Sequence, residues 1–349
     1  MKIAQVAPLY ESVPPKRYGG IERVVSYLTE ELVRQGHEVS LFASGDSVTT
    51  GDLVPCSPKS IREFPEWVDP LAFHALQFNQ VFEREFDMVH FHIEYLSLPF
   101  SRLLERPSLT TLHSPLPDMP ELICAFGGLA FVAVSDSQRA PWPSANWRKT
   151  IHHGLPPGLY TLNSTPGQYL AFLGRIAPEK RCDRAIEIAK RSGVPLKIAA
   201  KIDPYDQPYF DREISPLLDD RNIEFIGEIS ERGKNDFLGN AAALLFPIDW
   251  AEPFGLVMIE ALACGTPVIA FRRGSVPEVI DDGVTGFIVD DLDGAVQAVR
   301  HIESINRERC REIFETRFTA SRMARDYVSV YRGILDNRMI PTRNTTIEA

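Results

Sequence analysis

The stretch EPFGLVMIE, residues 252–260, carries a glutamate at each end, and apart from a proline and a glycine only apolar residues lie between them. The preceding stretch NAAALLFPIDW, residues 240–250, contains an apolar run of strand length. Pro253 and Gly255 then interrupt the chain before LVMIEALA, residues 256–263, whose apolar spacing predicts a buried helix. A strand, a turn and a helix in this order indicate an α/β fold.

The start of this helix predicts an anion site with a carboxylate on either side. The free backbone amides of Phe254, Gly255 and Leu256 would point out of the helix start, where partial positive charge favours an anion. Because a carboxylate repels a phosphate, at least one of Glu252 and Glu260 is expected to face neutral hydroxyls, such as those of a sugar. The alternative is that Glu252 only complements the helix dipole and Glu260 is a solvated helix residue.

The same alternation of strands and helices runs through the chain in two blocks. In the first block we predict a helix at 20–36 and strands at the following positions: 2–8, 37–43, 88–92, 108–113 and 129–135. In the second block we predict a helix at 181–193 and strands at the following positions: 169–174, 196–200, 223–227, 242–247, 266–271 and 286–290. Strands that alternate with helices predict a parallel sheet covered on both faces, here one sheet in each block.

The stretch HHGLPPGLYTLNSTPGQ, residues 152–168, is rich in proline, glycine and small polar residues and separates the two blocks. We therefore predict two doubly wound, Rossmann-like domains that face each other across a cleft. The predicted divisions are a domain at 1–155, a linker at 156–168, a domain at 169–317, a final helix at 318–336 and a disordered polar tail at 337–349. Ligands of such sheets bind beyond the carboxyl ends of the strands, which directs attention to the loops there.

Two such loops carry residues suited to an anionic ligand. Gly19 and Gly20 follow the first strand and precede a helix, and adjacent glycines let backbone amides approach a ligand closely. An ordinary tight turn is the alternative. In the second block, GRIAPEKR at 174–181 places Arg175 and Lys180 around a turn that opens a helix. Arginine binds a diphosphate in bidentate fashion and lysine binds it as a point charge.

For Arg175 and Lys180 the alternative interpretation is a pair of surface ion pairs with Glu179 or Asp183. The position of the two cations at the carboxyl end of a strand favours the phosphate.

Histidines accumulate near the ends of the predicted strands. His113 ends the strand at 108–113, His90 and His92 alternate on the strand at 88–92, and His152 and His153 fall at the linker. An isolated histidine is more often a structural hydrogen-bonding group than a catalytic one, and the number of histidines leaves a metal cluster open. However, no HExxH or aspartate-rich spacing appears, and phosphate-loop, GxGxxG and GxSxG motifs are absent from the sequence.

Composition narrows the class of protein. The 349 residues suffice for two domains, and the formal net charge of −10 argues against a nucleic-acid partner. Five scattered cysteines without a CxxC pair are typical of a reducing compartment. The apolar stretch at residues 1–15 is too short for a signal peptide, and no apolar run approaches the roughly 20 residues of a membrane span. We expect a cytoplasmic protein, and nothing in the sequence supports peripheral membrane contact.

The segments RYGGIERVV (17–25), GRIAPEKR (174–181) and the long block from EPFGLVMIE to GFIVD (252–290) together resemble glycosyltransferase family four. Members of this family are retaining, nucleotide-sugar-dependent transferases of the GT-B fold. The resemblance covers nearly the whole chain, and the two glutamates eight residues apart are its most specific feature. It implies that the first domain faces the acceptor and that the second binds the donor.

The resemblance also implies roles for single residues. The carboxylate of Glu252 would hold donor-sugar hydroxyls, and Glu260 would bind the ribose. Arg175 and Lys180 would bind the diphosphate, and His113 would lie against the donor sugar at the reaction centre. The remaining donor-binding positions act through their backbone, namely Gly19, Gly20, Phe254, Gly255 and Leu256. The final helix, SRMARDYVSVYRGIL at 321–335, resembles the segment that crosses back to pack on the first domain.

One loop departs from the family pattern. Where the family often has a glycine-rich turn after the second strand of the donor domain, this chain has IAAKIDPYD at 198–206. Lys201 is a candidate for a further phosphate contact, and a reshaped loop is the alternative. The identity of the nucleotide therefore stays open.

The expected reaction is transfer of a sugar from a nucleoside-diphosphate sugar to a glycan, a lipid-linked acceptor or a small-molecule hydroxyl. Fixed amides with Arg175 and Lys180 would neutralise the leaving diphosphate, so neither a metal nor another cofactor is expected. Retention without an obvious carboxylate nucleophile would follow from attack on the same face as the leaving group. The alternatives are a nucleotide-sugar epimerase or hydrolase on the same fold, or a sugar-nucleotide-binding protein without turnover.

Overall fold

The computed structural model of the chain describes residues 1–165, 167–218 and 221–339. The last helix ends at Met339, so residues 337–339, which the sequence analysis assigned to the tail, are helical. The rest of the predicted tail, 340–349, lies outside the described residues.

The first half of the chain forms a seven-stranded parallel sheet in the order β3-β2-β1-β4-β5-β6-β7. Its strands are β1 (Lys2–Val6), β2 (Glu38–Ser44), β3 (Asp52–Ser57), β4 (Met88–Phe91), β5 (Ser108–Thr111), β6 (Phe131–Ala133) and β7 (Trp147–Thr150). The register sets Ile3 beside Val39 on one side and Met88 on the other. All three are buried, as expected for the central strands of a sheet covered on both faces.

The second half forms a six-stranded parallel sheet in the order β10-β9-β8-β11-β12-β13. Its strands are β8 (Tyr169–Ile176), β9 (Leu196–Ile202), β10 (Ile223–Gly227), β11 (Ala241–Phe246), β12 (Val268–Phe271) and β13 (Gly286–Val289). In both sheets the chain order reverses beside the first strand, because β1 lies between β2 and β4, and β8 lies between β9 and β11. The predicted fold class of two doubly wound domains is confirmed.

Helices connect the strands in both halves. In the first half they are α1 (Gly20–Arg34), α2 (Pro70–Phe82), α3 (Leu98–Leu103), α4 (Pro120–Phe126) and α5 (Asp136–Arg139). In the second half they are α6 (Cys182–Ser192), α7 (Gln207–Tyr209), α8 (Glu231–Gly239), α9 (Leu256–Ala263), α10 (Val276–Val279), α11 (Leu292–Arg300), α12 (Arg307–Arg317) and α13 (Ala320–Met339). Within the described ranges, no helix has the length and apolar character that crossing a membrane requires.

The chain passes between the two halves twice, and the two passages lie side by side. The amide of Leu155 donates to the carbonyl of Phe318 at 2.9 Å, and the amide of Ala320 donates to the carbonyl of Leu155 at 2.8 Å. Beyond this point α13 packs on the first half, where Met323 and Tyr327 are buried in one cluster with Leu28 of α1. The final helix therefore belongs to the core of the N-terminal half.

Candidate active site

A cavity of about 760 Å³ opens between the two halves, where the carboxyl ends of strands from both sheets meet. Loops and helix N-termini converge at this edge of an α/β sheet, and ligands bind there. Each site residue predicted from the sequence lies in the cavity wall: Gly19, Gly20, His113, Arg175, Lys180, Glu252, Phe254, Gly255, Leu256 and Glu260. The fold thus brings residues from distant parts of the sequence into one site.

Lys180 and Glu252 form an ion pair in the C-terminal wall of the cavity. Trp250 contacts both residues: its Nε1 donates to Glu252 Oε2 at 2.9 Å, and Lys180 Nζ lies 4.7 Å from the centre of its ring. The Lys180 ammonium and the Trp250 indole both donate to Oε2 of Glu252. Within the described residues no hydrogen bond uses Oε1 of Glu252, so this oxygen can accept hydrogen bonds from a ligand.

Arg175 lies on β8, which extends two residues beyond the predicted strand. Its guanidinium pairs with Glu179, at 2.6 Å from Nη2 to Oε1, and with the buried carboxylate of Asp206. The ion pair with Glu179, which was the alternative interpretation, is therefore present, whereas Asp183 pairs with Arg181 at 2.7 Å. Since a guanidinium carries five N–H donors, these two bonds leave others for a ligand in the cavity.

Glu260 is only 3% exposed, so its interpretation as a solvated helix residue is wrong. Its Oε1 lies 2.7 Å from Nζ of Lys234, a residue of α8 that also lines the cavity. Lys234 Nζ lies 3.4 Å from Glu231, and Glu231 pairs in turn with Arg23 of α1. This ionic network joins the two walls of the cavity beside α9.

The helix that opened the sequence analysis, α9, begins at Leu256 and ends at Ala263, as predicted. Gly255 precedes it with φ of 77°, and a Cβ there would lie 2.9 Å from Met258 Cε and 3.0 Å from Phe246 Cζ. The helix start therefore needs a glycine at this position. The amides in the first turn of a helix lack partners within the helix, and this turn begins in the cavity wall.

The two glycines of the first loop have different reasons to be glycine. Gly19 has φ of 148°, and a Cβ there would lie 2.7 Å from Pro15 Cβ, so the tight turn itself requires it. At Gly20 a Cβ would meet only Leu256 Cδ1, at 3.8 Å, in the opposite wall. A side chain at position 20 would therefore occupy the space between the walls rather than strain the turn.

His113 lies two residues beyond the end of β5 rather than at its end. Its Nε2 lies 3.0 Å from Nδ1 of His92, whose Nε2 lies 2.8 Å from Oε1 of Gln5. Burial lowers the pKa of His113 to about 3, so its imidazole is neutral at pH 7. The ring of His153 stacks on His113 with centroids 5.3 Å apart.

The histidine chain continues to the final helix. Nδ1 of His90 lies 2.7 Å from the hydroxyl of Tyr331, which also accepts a hydrogen bond from Nε2 of Gln5 at 3.2 Å. Burial lowers the pKa of His90, His92 and His153 well below the usual value, and neighbouring histidines lower it further. Among the residues that the structure describes, no group of three or more His, Cys, Asp or Glu side chains has a metal-binding arrangement.

The loop after β9 supplies the buried partner of Arg175, because Asp206 ends the IAAKIDPYD segment. Lys201 lines the cavity, and its Nζ lies 5.2 Å from the centre of the Tyr18 ring and 3.9 Å from Asp203. The segment that departs from the family pattern thus places Asp206 and Lys201 beside the residues predicted to bind the diphosphate.

Sequence reasoning missed several residues of the cavity wall, among them Glu94, Lys234 and Trp250. Glu94 follows β4 by three residues and thus lies at the ligand-binding edge, a signal that was present in the sequence. Lys234 lies inside α8 and reaches the cavity only because α8 packs beside α9, which no local pattern indicates.

Two parallel sheets that face a shared cavity, with paired cations on one wall and neutral histidines on the other, form the two-domain GT-B arrangement. Two family models match the chain: Glycosyltransferase Family 4 over residues 18–158 and Glycosyl transferases group 1 over residues 162–317. The chain belongs to this family of glycosyltransferases.

The following curated relatives match between 47% and 96% of the chain. The O-antigen chain mannosyltransferase C of Escherichia coli is 22% identical, over 96% of this chain and 100% of that protein. The phosphatidyl-myo-inositol mannosyltransferase of Mycobacterium leprae is 25% identical, over 89% of each. An uncharacterized 41.2 kDa protein in the cps region of Klebsiella pneumoniae is 30% identical over 170 residues, which are 47% of this chain and 46% of that protein.

Solved structures share the fold. AviGT4, a glycosyltransferase involved in avilamycin A biosynthesis, has a TM-score of 0.74 at 23% identity, over 96% of this chain and 98% of that chain. Anabaena HepE in complex with UDP and glucose has a TM-score of 0.72 at 18% identity, over 95% of this chain and 100% of that chain. At these identities the likeness concerns the fold.

Proposed function

We propose that this glycosyltransferase moves a sugar from a nucleoside-diphosphate sugar to a hydroxyl of a glycan, a lipid-linked acceptor or a small molecule, with retention of the anomeric configuration. The observation that carries the proposal is the arrangement of one cavity, with Lys180, Glu252 and Arg175 in one wall and His113 in the other. Two curated relatives are named as mannosyltransferases, and one structural neighbour holds UDP and glucose, which supports a nucleotide-sugar donor.

In the proposed donor complex the diphosphate lies against Lys180, Arg175 and the start of α9. The anchored carboxylate of Glu252 turns Oε1 to the hydroxyls of the transferred sugar. The ribose hydroxyls bind near Glu260, which Lys234 holds in place at 2.7 Å. The buried carboxylate of Glu260 can accept a hydrogen bond from a ribose hydroxyl here, since Lys234 already balances its charge.

The proposed chemistry requires stabilisation of the leaving diphosphate. Fixed cations and helix amides stabilise the charge that develops in a transition state without reorganising, and one such donor is typically worth about 10²–10³ in rate. The bond from the anomeric carbon to the phosphate oxygen breaks while the acceptor oxygen attacks from the same face. The leaving phosphate oxygen takes the proton of the acceptor hydroxyl. The neutral imidazole of His113 holds a hydroxyl of the donor sugar beside the anomeric carbon.

No metal has a role in this proposal, because Lys180, Arg175 and the start of α9 neutralise the diphosphate. Turnover is expected to survive EDTA, and loss of turnover in EDTA that magnesium or manganese restores would contradict this part. We include a cytoplasmic location in the proposal, since the five cysteines are free thiols and four of them are buried.

The test is a transfer assay with purified protein, UDP-, GDP- and ADP-sugars, and a panel of acceptors. We expect product only with an acceptor present, and nuclear magnetic resonance of the product should show the anomeric configuration of the donor. Conversion of the donor at the same rate without an acceptor would favour an epimerase or a hydrolase. An inverted product would contradict the retaining mechanism.

A further inference from the structure

Glu94 has an unusual backbone conformation at the edge of the cavity. It follows β4 and has φ of 49°, in the left-handed region that residues other than glycine and asparagine seldom adopt. Such a conformation costs free energy and persists only where surrounding contacts hold it, which occurs often at ligand-binding and active sites. The residue is partly exposed in the N-terminal wall of the cavity.

One oxygen of the Glu94 carboxylate holds the loop that carries His113. Oε1 accepts hydrogen bonds from the amides of His113 and Ser114, each at 3.0 Å, and from the hydroxyl of Ser114 at 3.1 Å. Glu94 therefore lies directly beside the proposed reaction centre, and its Oε1 is held by this loop.

The other oxygen of Glu94, Oε2, is buried and has no hydrogen-bond partner among the residues that the structure describes. A buried polar atom without a partner is costly and needs a reason. Among the described residues no lysine or arginine forms an ion pair with Glu94, whereas Glu252 and Glu260 are each paired with a lysine. Burial raises the pKa of Glu94 to about 7, against the effect of its three hydrogen bonds.

The surroundings of Glu94 suit a neutral ligand with several hydroxyls. Tyr10 and Tyr95 line the same wall, and the Tyr95 hydroxyl donates to the carbonyl of Pro115 at 3.1 Å. Arg62, a cation of this wall, is already paired with Glu11 at 2.9 Å. Arg17 and Arg23 of the same wall are also paired with carboxylates, so a negatively charged acceptor would meet the carboxylate of Glu94 without an unpaired arginine of this wall among the described residues. A sugar or polyol would give Oε2 a hydroxyl and would lay its carbon face on the tyrosines.

We infer that Glu94 forms the acceptor subsite, in which Oε2 accepts a hydrogen bond from a hydroxyl of an uncharged polyhydroxy acceptor, a sugar or a polyol. A small turn about the last torsion of the side chain, which is broad in glutamate, presents Oε2 to the cavity. Glu94 thereby holds the acceptor beside His113, and the attacking hydroxyl belongs to the same acceptor molecule. The inference rests on the proposed function, because it names the substrate class of that site.

The matched variants are Glu94→Gln and Glu121→Gln. Glutamine keeps Oε1 for the loop at 113–114 and replaces Oε2 with an amide, while Glu121 is an exposed residue of α4 outside the cavity. The probes are methyl α-glucopyranoside, methyl α-mannopyranoside and methyl α-galactopyranoside, with glucose 6-phosphate as the charged comparison. Binding is measured by ligand-observed nuclear magnetic resonance in saturating nucleoside diphosphate, so that it is independent of turnover.

We expect at least one methyl glycoside to bind the wild type more tightly than glucose 6-phosphate. At pH 8, where Glu94 is mostly ionised, Glu94→Gln should weaken this binding about tenfold or more, as loss of a hydrogen bond to a charged group predicts. It should leave nucleoside-diphosphate affinity within twofold. Glu121→Gln should change neither. Where the glycoside supports turnover, Glu94→Gln should raise its KM.

Glu94→Gln should also melt at the same or a higher temperature than the wild type at pH 8. The pKa of Glu94 is raised from 4.5 to about 7 in the folded state, so its ionisation lowers the free energy of unfolding as the pH rises from 4.5 to 7, and the full loss is present above pH 7. Glutamine removes the ionised group and thus this loss. Its titratable neighbours in the wall are Tyr95, whose pKa is raised by burial and by Glu94, and the neutral His113.

Three results would overturn the inference. The first is equal glycoside binding by Glu94→Gln and the wild type, and the second is no binding of any glycoside by the wild type. The third is a parallel loss of glycoside and nucleotide binding in Glu94→Gln, which would mean that Glu94 has a role in loop structure alone. If Glu94→Gln does not fold, Glu94→Asp, which withdraws the carboxylate by one methylene, should give the same selective loss. Glycoside binding that depends on Glu94 in a protein without transfer would contradict the proposed function and leave the subsite standing.

Discussion

The two walls of the cavity use charge in opposite ways. In the C-terminal wall each cation has a carboxylate partner: Lys180 pairs with Glu252, Arg175 with Asp206 and Glu179, and Lys234 with Glu260. In the N-terminal wall the histidines are neutral because burial lowers their pKa, and Glu94 forms no ion pair with any residue that the structure describes.

The difference indicates which substrate each wall suits. Cations that are paired with a carboxylate can still bind a diphosphate, because an ammonium carries three N–H donors and a guanidinium five. Neutral imidazoles can form hydrogen bonds with sugar hydroxyls and do not attract a diphosphate to the N-terminal wall. We therefore expect substitutions in the two walls to fail in different ways, and the predictions below test that difference.

The largest effect is expected from Lys180→Ala. The substitution removes a fixed cation from the leaving diphosphate, which should lower kcat/KM for transfer by about 10²–10³. Steady-state kinetics with the donor would measure this, and Lys190→Ala, an exposed lysine of α6 outside the cavity, serves as the control. A kcat/KM of Lys180→Ala within threefold of the wild-type value would contradict the assignment of the diphosphate to the C-terminal wall.

A smaller effect is expected from Glu252→Gln. Glutamine keeps the shape but removes a charged acceptor whose hydrogen bonds are typically worth about 1.5–3 kcal/mol, so transfer should fall by about 10- to 100-fold. Affinity for the free nucleoside diphosphate should stay nearly unchanged, because the residue faces the transferred sugar. Turnover assays alongside calorimetry measure both, and normal turnover would contradict the role of Glu252.

Glu260→Gln should instead weaken binding of the nucleotide. Loss of the charged acceptor for the ribose predicts a nucleoside-diphosphate affinity about tenfold lower, by the same estimate. Lys234 keeps Glu231 at 3.4 Å as a second partner, so the wall should stay folded. Circular dichroism checks this, and calorimetry with an unchanged dissociation constant would count against Glu260.

The smallest effect concerns stability in the N-terminal wall. His153 is held neutral by burial, so its contribution to folding is complete above its unfolded pKa of about 6.5 and is lost as the pH falls below that value. His153→Gln should therefore reduce the acid-side slope of the free energy of unfolding by up to about 1.4 kcal/mol per pH unit.

Urea unfolding between pH 5 and pH 7 measures the slope in wild type, in His153→Gln and in His301→Gln, which alters an exposed histidine. Glu22 and Glu94, whose raised pKa has the opposite effect, are present in all three proteins and cancel in the comparison. Equal slopes in wild type and His153→Gln would show that this histidine is not held neutral.

Strong periodicity made much of the fold predictable from the sequence. The helix α9 has the predicted bounds, and β10 coincides with the predicted strand at 223–227. The strands β3 and β7 were missed because both are edge strands: DLVPCS contains a proline, and WRKT is polar. Edge strands tolerate both features, so they lack the apolar pattern that identifies central strands.

The candidate site was predictable where its chemistry is local. Arg175, Lys180, Glu252 and Glu260 lie in continuous motifs beside strand ends, and all four line the cavity. Three contacts depend on packing between distant segments: that of Arg175 with Asp206, that of Lys234 with Glu260, and the chain from His113 to Tyr331. No pattern in a single stretch of sequence indicates them.

The most direct test of the division between the walls is calorimetric titration of the wild type and Lys180→Ala with UDP, GDP and ADP and with the matching monophosphates. We predict that the wild type binds one diphosphate at least tenfold more tightly than its monophosphate, and that Lys180→Ala removes most of that difference while His113→Ala retains it. A wild type that binds diphosphate and monophosphate equally, or a difference lost in His113→Ala and kept in Lys180→Ala, would contradict the assignment of the diphosphate to the C-terminal wall.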